Sequence, residues 1–372
     1  MDMEIKLKIL TPIWTGGVET GKMDRLHETG IIGSLRWWYE IIVRGLGGDV
    51  CDPTSDNPAD RCQFDTKAYE KTKNIEDGLA GVCPVCRLFG CTGWKRRFEL
   101  QVLTASLKPF WLATKDKSKK PNHRWLSKIY DINSNLALDE LTLRFRWVDG
   151  DKSQHEIMKA LLLLVSQLGA IGSKPQYGFG IVHNELSFSV KDSLFILRRK
   201  IIDPKPTKNL SSTYPSLGNY WLLQCTVQKQ NVDQVFPSCS VGVVGDKATC
   251  KKYWSRLLPV SFDIRYKLPG SIPGSNDKGL RKSYCSQHGE VAARKIFGTL
   301  KGGEEGKRAS TVFVSHLYKE ETEADYQLRV WGFTDPELAG EIEASLKNIF
   351  PQLTLKRKVI GKELLAEKEV KT

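Results

Sequence analysis

The chain has 372 residues, 40% of them hydrophobic and 27% charged, enough apolar material for two folded units or one large one. Its formal net charge of +13 argues against an enzyme of small neutral substrates and for a polyanionic partner, either nucleic acid or an anionic surface. No opening signal peptide is read, and the longest apolar run, Ala160 to Val165, is far too short to span a bilayer. The chain is therefore expected to be cytoplasmic and off the membrane, with its nine cysteines as thiols or metal ligands rather than disulfides.

In chain order, Met3, Ile5, Leu7 and Ile9 alternate with Glu4, Lys6 and Lys8, the period of a half-buried strand. "TPIWTGG" ends it, a polar loop follows through Asp24 and His27, and "TGIIGSLRWWYEIIVRGLGG" reads as a helix stopped by glycines. At 100° per residue Ile31, Leu35, Trp38 and Ile42 share one stripe, which puts Trp38 in the core and leaves Arg36 and Trp37 on the outward flanks. Residues 49–81 are polar with little periodicity and read as an insertion. "FELQVL" (98–103) and "LTLRFRWV" (141–148) read as strands, with the basic loop "KDKSKKPNH" between them, then a helix over Ser153–Gly169 and a strand "GIVHNELSFSV".

This β–α–β–β–α–β order is the ferredoxin-like pattern shared with the RNA-recognition fold. Residues 198–219, rich in proline and serine, read as a linker. Beyond them come a strand "YWLLQCTVQ", a strand "DYQLRVWGF", a helix "DPELAGEIEASLKNIF" with Asp335 as N-cap and Pro336 at its first position, and a last strand "LTLKRKVI". "RLFGCTGWKRRFELQV" (87–102) is echoed by "KIFGTLKGGEEGKRASTVFV" (295–314), which suggests a duplicated unit. The expected fold class is α+β: two tandem ferredoxin-like, RRM-like domains with insertions, over residues 1–197 and 220–372.

Four groups of residues could carry chemistry. The first is "IGSKPQYGFG" (171–180), three glycines of ten with one cation, between a helix and a strand. Glycine turns present N–H groups that suit phosphate, Lys174 adds a charge, and Tyr177 offers a ring for stacking. A tight turn with no ligand is the plainer account of the loop alone. The second group is basic: Lys95, Arg96 and Arg97 at the entrance to one strand, Lys307 and Arg308 at the equivalent place in the second unit, all candidate clamps on a nucleic-acid backbone. Third, Cys83 and Cys86 form a CxxC, and Cys51 and Cys62 lie upstream; these four are candidate ligands of a structural zinc. Reduced, partly buried thiols are the alternative. Fourth, His27 with Asp24 or Glu28 is a candidate acid–base group for RNA cleavage, though no second histidine is placed to pair with it. No P-loop, GxSxG, HExxH or dinucleotide fingerprint is present.

"TPIWTGG", "ETGIIGSLRWWYE", "CPVCRLFG" with "WKRRFELQV", and "IGSKPQYGFG" together resemble the RAMP superfamily of CRISPR proteins. Within it "GIIGSLRWWYE" is most similar to the first-numbered subunit of the Cmr, type III-B, RNA-guided complex. The resemblance implies two ferredoxin-like folds and assembly with other Cmr subunits around a crRNA and its target RNA. It implies single-stranded RNA binding near the crRNA 3′ end without cutting, and no required cofactor. It places Gly172, Lys174, Gln176, Tyr177, Gly178 and Gly180 in an RNA-facing glycine loop and Arg36 and Trp37 in the "GSLRWW" helix motif. Lys174 stands where many members carry arginine, a point charge without the bidentate fork. Cleaving members carry an aspartate after the glycine turn, and Asp24 stands at a comparable place. A ribonuclease using Asp24 or His27, and a scaffold that touches only protein, are the alternatives.

Overall fold

The computed structural model describes residues 2–115, 121–122, 134–148, 152–186, 189–201, 214–236, 239–243, 255–266, 279–299, 308–320 and 322–366. The alternation of the first strand becomes burial without exception: along Asp2–Ile9 every second residue is buried, with Met3, Ile5, Leu7 and Ile9 inward. The strand pairs antiparallel with Asn135–Trp147, Ile5 opposite Leu143, and on its other edge with Val182–Asn184. Phe98–Lys115 pairs with the far edge of Asn135–Trp147. Numbered along the chain, these four strands lie in the order 2-3-1-4, the ferredoxin-like arrangement. The helices Glu28–Gly45 and Lys152–Leu168 supply the apolar layer that covers the sheet, among them Leu35, Ile42, Leu161 and Leu164, none more than 1% exposed. Each such side chain contributes about 1.5–3 kcal/mol on leaving water.

The second sheet repeats the plan. Tyr220–Val227 lies between Thr354–Ile360 and Tyr326–Phe333, with Val312–Val314 and Leu317–Tyr318 beyond. Its two helical connections are Leu280–Phe297, broken at Gly289 by a φ of 83°, and Leu338–Ile349. The sequence echo corresponds to one shared turn. Leu88-Phe89-Gly90 and Ile296-Phe297-Gly298 both end a helix, and both glycines have positive φ, 89° and 77°. Arg97 N–H donates to the Leu88 carbonyl (3.1 Å), and Thr311 N–H donates to the Ile296 carbonyl (2.9 Å). Each turn is then closed by an isolated bridge, Cys91 with Trp94 and Thr299 with Arg308. A Cβ on Gly90 would come 2.8 Å from the Arg96 nitrogen, and one on Gly298 would come 2.6 Å from the Arg308 carbonyl. The same residue is therefore demanded twice, for the same reason.

The structure departs from the sequence expectations in three places. The first is Val190–Ile201, which is a helix rather than a strand end running into a linker. Its Leu194, Leu197 and Ile201 bury a stripe at helical spacing, and it packs on Lys152–Leu168, so the first unit continues past residue 197. Residues 202–213 of the expected linker, and residues 116–120 and 123 of the basic loop, lie outside the described residues. The second departure is the strand that begins at Phe98. It runs on to Lys115, past two irregularities of register at Val102/Thr104 and Ala105/Ser106 that break its alternation. Its far end pairs with Cys239–Val243 from the second unit. Third, the helix expected to start after Asp335 begins at Leu338. Asp335 Oδ1 instead accepts from Glu337 N–H (3.1 Å), capping a preceding turn of i→i+3 bonds.

The two units share a tight seam of aromatic rings. Trp37 meets Phe333 edge-on at 5.4 Å and Phe313 at 6.3 Å, while Trp38 meets Tyr220 and Phe333. Buried Arg329 Nη1 donates across the seam to the Ser166 carbonyl at 2.7 Å. Among the described residues no helix is long and apolar enough to cross a membrane.

Candidate nucleic-acid interface and cysteine cluster

The glycine loop sits against the turn that follows the first strand. Gly180 N–H donates to the Pro12 carbonyl (2.9 Å), Ser173 N–H to the Trp14 carbonyl (2.8 Å), and Gly172 N–H to Ser34 Oγ on the first helix (3.0 Å). Ile171 N–H closes the loop on the Gly180 carbonyl at 2.8 Å. These amides are satisfied inside the protein, which corrects the expectation that the glycines turn their N–H groups to phosphate. Lys174, held at a left-handed φ of 58°, puts its ammonium 4.3 Å from the centre of the Trp14 ring. Burial lowers its pKa from the ordinary lysine value.

The second unit grips the same loop. Arg265 Nη1 donates to the Gln176 carbonyl (2.6 Å), Ser261 Oγ donates to the Tyr177 carbonyl (2.7 Å), and the Arg265 guanidinium lies 5.7 Å from the centre of the Tyr177 ring. Gly178 and Gly180 are buried, while Lys174, Gln176 and Tyr177 are half-buried. A small apolar cavity of about 240 Å³ opens beside the loop, between Trp37, Gly172, Pro175, Gln176 and Phe313. Trp14, Ser261, Arg265 and Phe313 were not singled out from sequence. Trp14 lies within the quoted "TPIWTGG" motif and Phe313 within the quoted echo, but Ser261 and Arg265 belong to the second unit and carry no local pattern.

Thr15 joins this surface to the candidate acid–base group. Its hydroxyl accepts from His27 N–H (2.9 Å), and His27 Nε2 bonds to Asp24 Oδ1 (2.8 Å). That hydrogen bond is the main reason the Asp24 carboxyl lies below the usual carboxylate range. Glu28 pairs instead with Arg25 (2.7 Å). Asp24 and His27 thus form a dyad, brought together by the start of the first helix.

Two of the expected RNA contacts are used internally. Arg36 donates to Glu40, to the Gly90 carbonyl (3.0 Å) and to Cys86 Sγ (3.1 Å), and Trp37 is in the seam. The stretch Cys86–Gly90 covers one outward flank of the helix and the second unit covers the other. Lys95 is exposed; Arg96 lies over Phe98 and Arg97 over Trp94, at 5.2 and 4.7 Å from the ring centres. Arg97 also lines a cleft of about 650 Å³ with Arg87, Lys200 and Glu76, so Arg97 faces the insertion. Arg308 is exposed; Lys307 lies outside the described residues.

The four cysteines converge. The Sγ atoms of Cys51, Cys62, Cys83 and Cys86 all lie within 4.8 Å of one another, and all four residues are buried. Backbone N–H groups point at the sulfurs, Cys83 N–H to Cys62 Sγ (3.3 Å) and Cys86 N–H to Cys83 Sγ (3.5 Å). The hydrogen bond with Cys62 draws the Cys51 thiol down, while that with Cys51 leads the rise at Cys86, as expected of thiols sharing protons at close range.

The tandem ferredoxin-like fold, with a glycine loop braced against the turn after its first strand, defines the class. Residues 6–183 match the family model of the RAMP superfamily. No curated protein matches the chain. The solved structures it is similar to include apo Cmr1 from Pyrococcus furiosus, at 13% identity and a TM-score of 0.45, covering 95% of this chain and 98% of that one. A chain of a type III-B Cmr-beta complex bound to cognate target RNA and AMPPnP in the presence of ssDNA is also similar, at 11% identity and a TM-score of 0.40, covering 93% and 98%. A chain of Cmr-beta bound to cognate target RNA matches at 13% identity and a TM-score of 0.40, covering 94% and 99%.

Proposed function

We propose that this protein is a non-cutting RNA-binding subunit of a type III-B, Cmr, RNA-guided complex, contacting single-stranded crRNA or target RNA beside its glycine loop. The observation that carries the reading is Lys174, fixed over Trp14 by a loop whose glycine amides are already satisfied. A preorganised cation beside an aromatic ring suits a phosphate and its sugar or base, and it needs little ordering on binding. The net charge of +13 and the match to the RAMP superfamily over residues 6–183 support the same partner.

The test is a gel-shift salt series with labelled single-stranded RNA, read in parallel on a denaturing gel. Binding of intact RNA should weaken steeply with salt, and Lys174→Ala should lower the slope of log K against log[salt] by about 0.7, the value of one single-strand phosphate contact. An unchanged slope would remove Lys174 from the interface. A second reading, a ribonuclease, rests on the 2.8 Å bond between Asp24 and His27. It requires the isolated chain to cut RNA and both Asp24→Ala and His27→Ala to stop the cutting.

A further inference from the structure

We propose that Cys51, Cys62, Cys83 and Cys86 hold one structural zinc ion that fastens residues 49–97 to the first helix. The four sulfurs come from three separate stretches of chain. Cys51 follows the first helix, Cys62 lies mid-insertion, and Cys83 and Cys86 flank the start of the short helix Pro84–Phe89. Gathered in one buried place, they present a complete set of four sulfur donors for a single ion.

The size of the cage selects the occupant. Tetrahedral zinc with bonds of about 2.3 Å to sulfur sets its ligands about 3.8 Å apart. Here Cys83 and Cys51 lie 3.9 Å apart, Cys51 and Cys86 lie 3.4 Å apart, and every pair falls within 4.8 Å. An iron–sulfur cluster would hold the thiolates much farther apart. Four sulfur ligands and no nitrogen or water-facing position describe a closed, structural site rather than a catalytic one.

The surroundings suit the charge. Binding releases up to four thiol protons and leaves Zn(S-Cys)4 with a charge of −2. Arg36 Nη2 lies 3.1 Å from Cys86 Sγ, and two backbone N–H groups point at Cys62 and Cys83, so cation and dipoles face the sulfurs. Arg36 also donates to the Gly90 carbonyl, so the same guanidinium ties the sulfur cage to the turn that leads into Lys95, Arg96 and Arg97. The zinc therefore sets the position of the basic entrance to the strand Phe98–Lys115.

The experiment uses the full chain, purified under reducing conditions without chelator. Elemental analysis should find about one zinc per chain, released when a mercurial titrates the thiols, and cobalt exchanged into the site should give the absorption of tetrahedral thiolate coordination. Cys83→Ser/Cys86→Ser should reduce metal to less than about a tenth per chain, and Cys285→Ser should retain it. Because the double variant can misfold, wild-type protein stripped by chelator supplies a second readout. Limited proteolysis within residues 49–97 should rise on stripping and be reversed by zinc but not by magnesium. Three results would overturn the proposal: four thiols freely reactive in metal-free protein with unchanged proteolysis; iron in place of zinc; or zinc retained by the double variant.

Discussion

Alanine at Gly180 should destabilise the first unit by about 3–4 kcal/mol, whereas alanine at Gly16 should cost only about 1 kcal/mol, though both glycines have positive φ. At Gly16 (φ 78°) a Cβ meets nothing within 4 Å, so the penalty is conformational alone. At Gly180 (φ 85°) the Cβ would lie well inside contact distance of the Ile171 carbonyl oxygen, which is backbone and cannot rotate away. Room can be made only by parting the loop. That breaks the bonds from Ile171 N–H to the Gly180 carbonyl and from Gly180 N–H to the Pro12 carbonyl, at about 1 kcal/mol each. Urea unfolding of both variants beside wild type, followed by tryptophan fluorescence, measures the difference. Equal midpoints for the two variants would mean that the loop shifts freely and that its bracing against the Pro12–Trp14 turn counts for nothing.

Two further predictions concern packing and pH. Leu197→Ala, at a fully buried position, should cost about 3 kcal/mol in the same assay, and Phe195→Ala on the exposed face of that helix no more than about 1 kcal/mol; equal losses would mean the helix Val190–Ile201 is not docked as described. Burial raises the Asp263 carboxyl to about 8 and lowers His316 to about 3. Asp263 binds its proton more tightly when folded, so its share of stability is lost as pH rises from about 4 to 8; His316 binds its proton less tightly when folded, so its share is lost as pH falls from about 6.5 to 3. The slopes oppose one another between about 4 and 6.5, leaving Asp263 alone to lower stability by about 2 kcal/mol from pH 6.5 to 8. Asp263→Asn should flatten that fall, and a fall of the same steepness in the variant would contradict the assignment.

The periodic elements were legible because their causes are local. Alternation at Met3–Ile9 and the stripe through Ile31, Leu35, Trp38 and Ile42 depend only on neighbours in the chain, and both are buried as their spacing requires. The repeated Phe-Gly turn was visible for the same reason; of the four cysteines only the Cys83–Cys86 spacing is local, and Cys51 and Cys62 reach them through the fold. The helix Val190–Ile201 was not, because "LSFSV" before it alternates like a strand and its basic end, Arg198–Lys200, merges with a polar run. Arg36 and Trp37 show a different limit. Periodicity gave their flanks correctly, but an outward flank meets solvent only if no other part of the chain covers it. Here the cysteine cage receives one and Phe313 with Phe333 the other. The partners that grip the glycine loop, Ser261 and Arg265, sit more than eighty residues downstream, where no spacing rule links them to Gln176 and Tyr177.

That grip makes the protein indivisible at its midpoint. A fragment ending near residue 201 would keep its own sheet and most of its core, yet the carbonyls of Gln176 and Tyr177 would lose their donors and the rings of Trp37 and Trp38 would face water. The two halves resemble two beads on a string in sequence, but they have become one object in which the later half braces the glycine loop of the earlier. During synthesis the glycine loop gains these braces only when the chain has been made as far as Arg265 and His316.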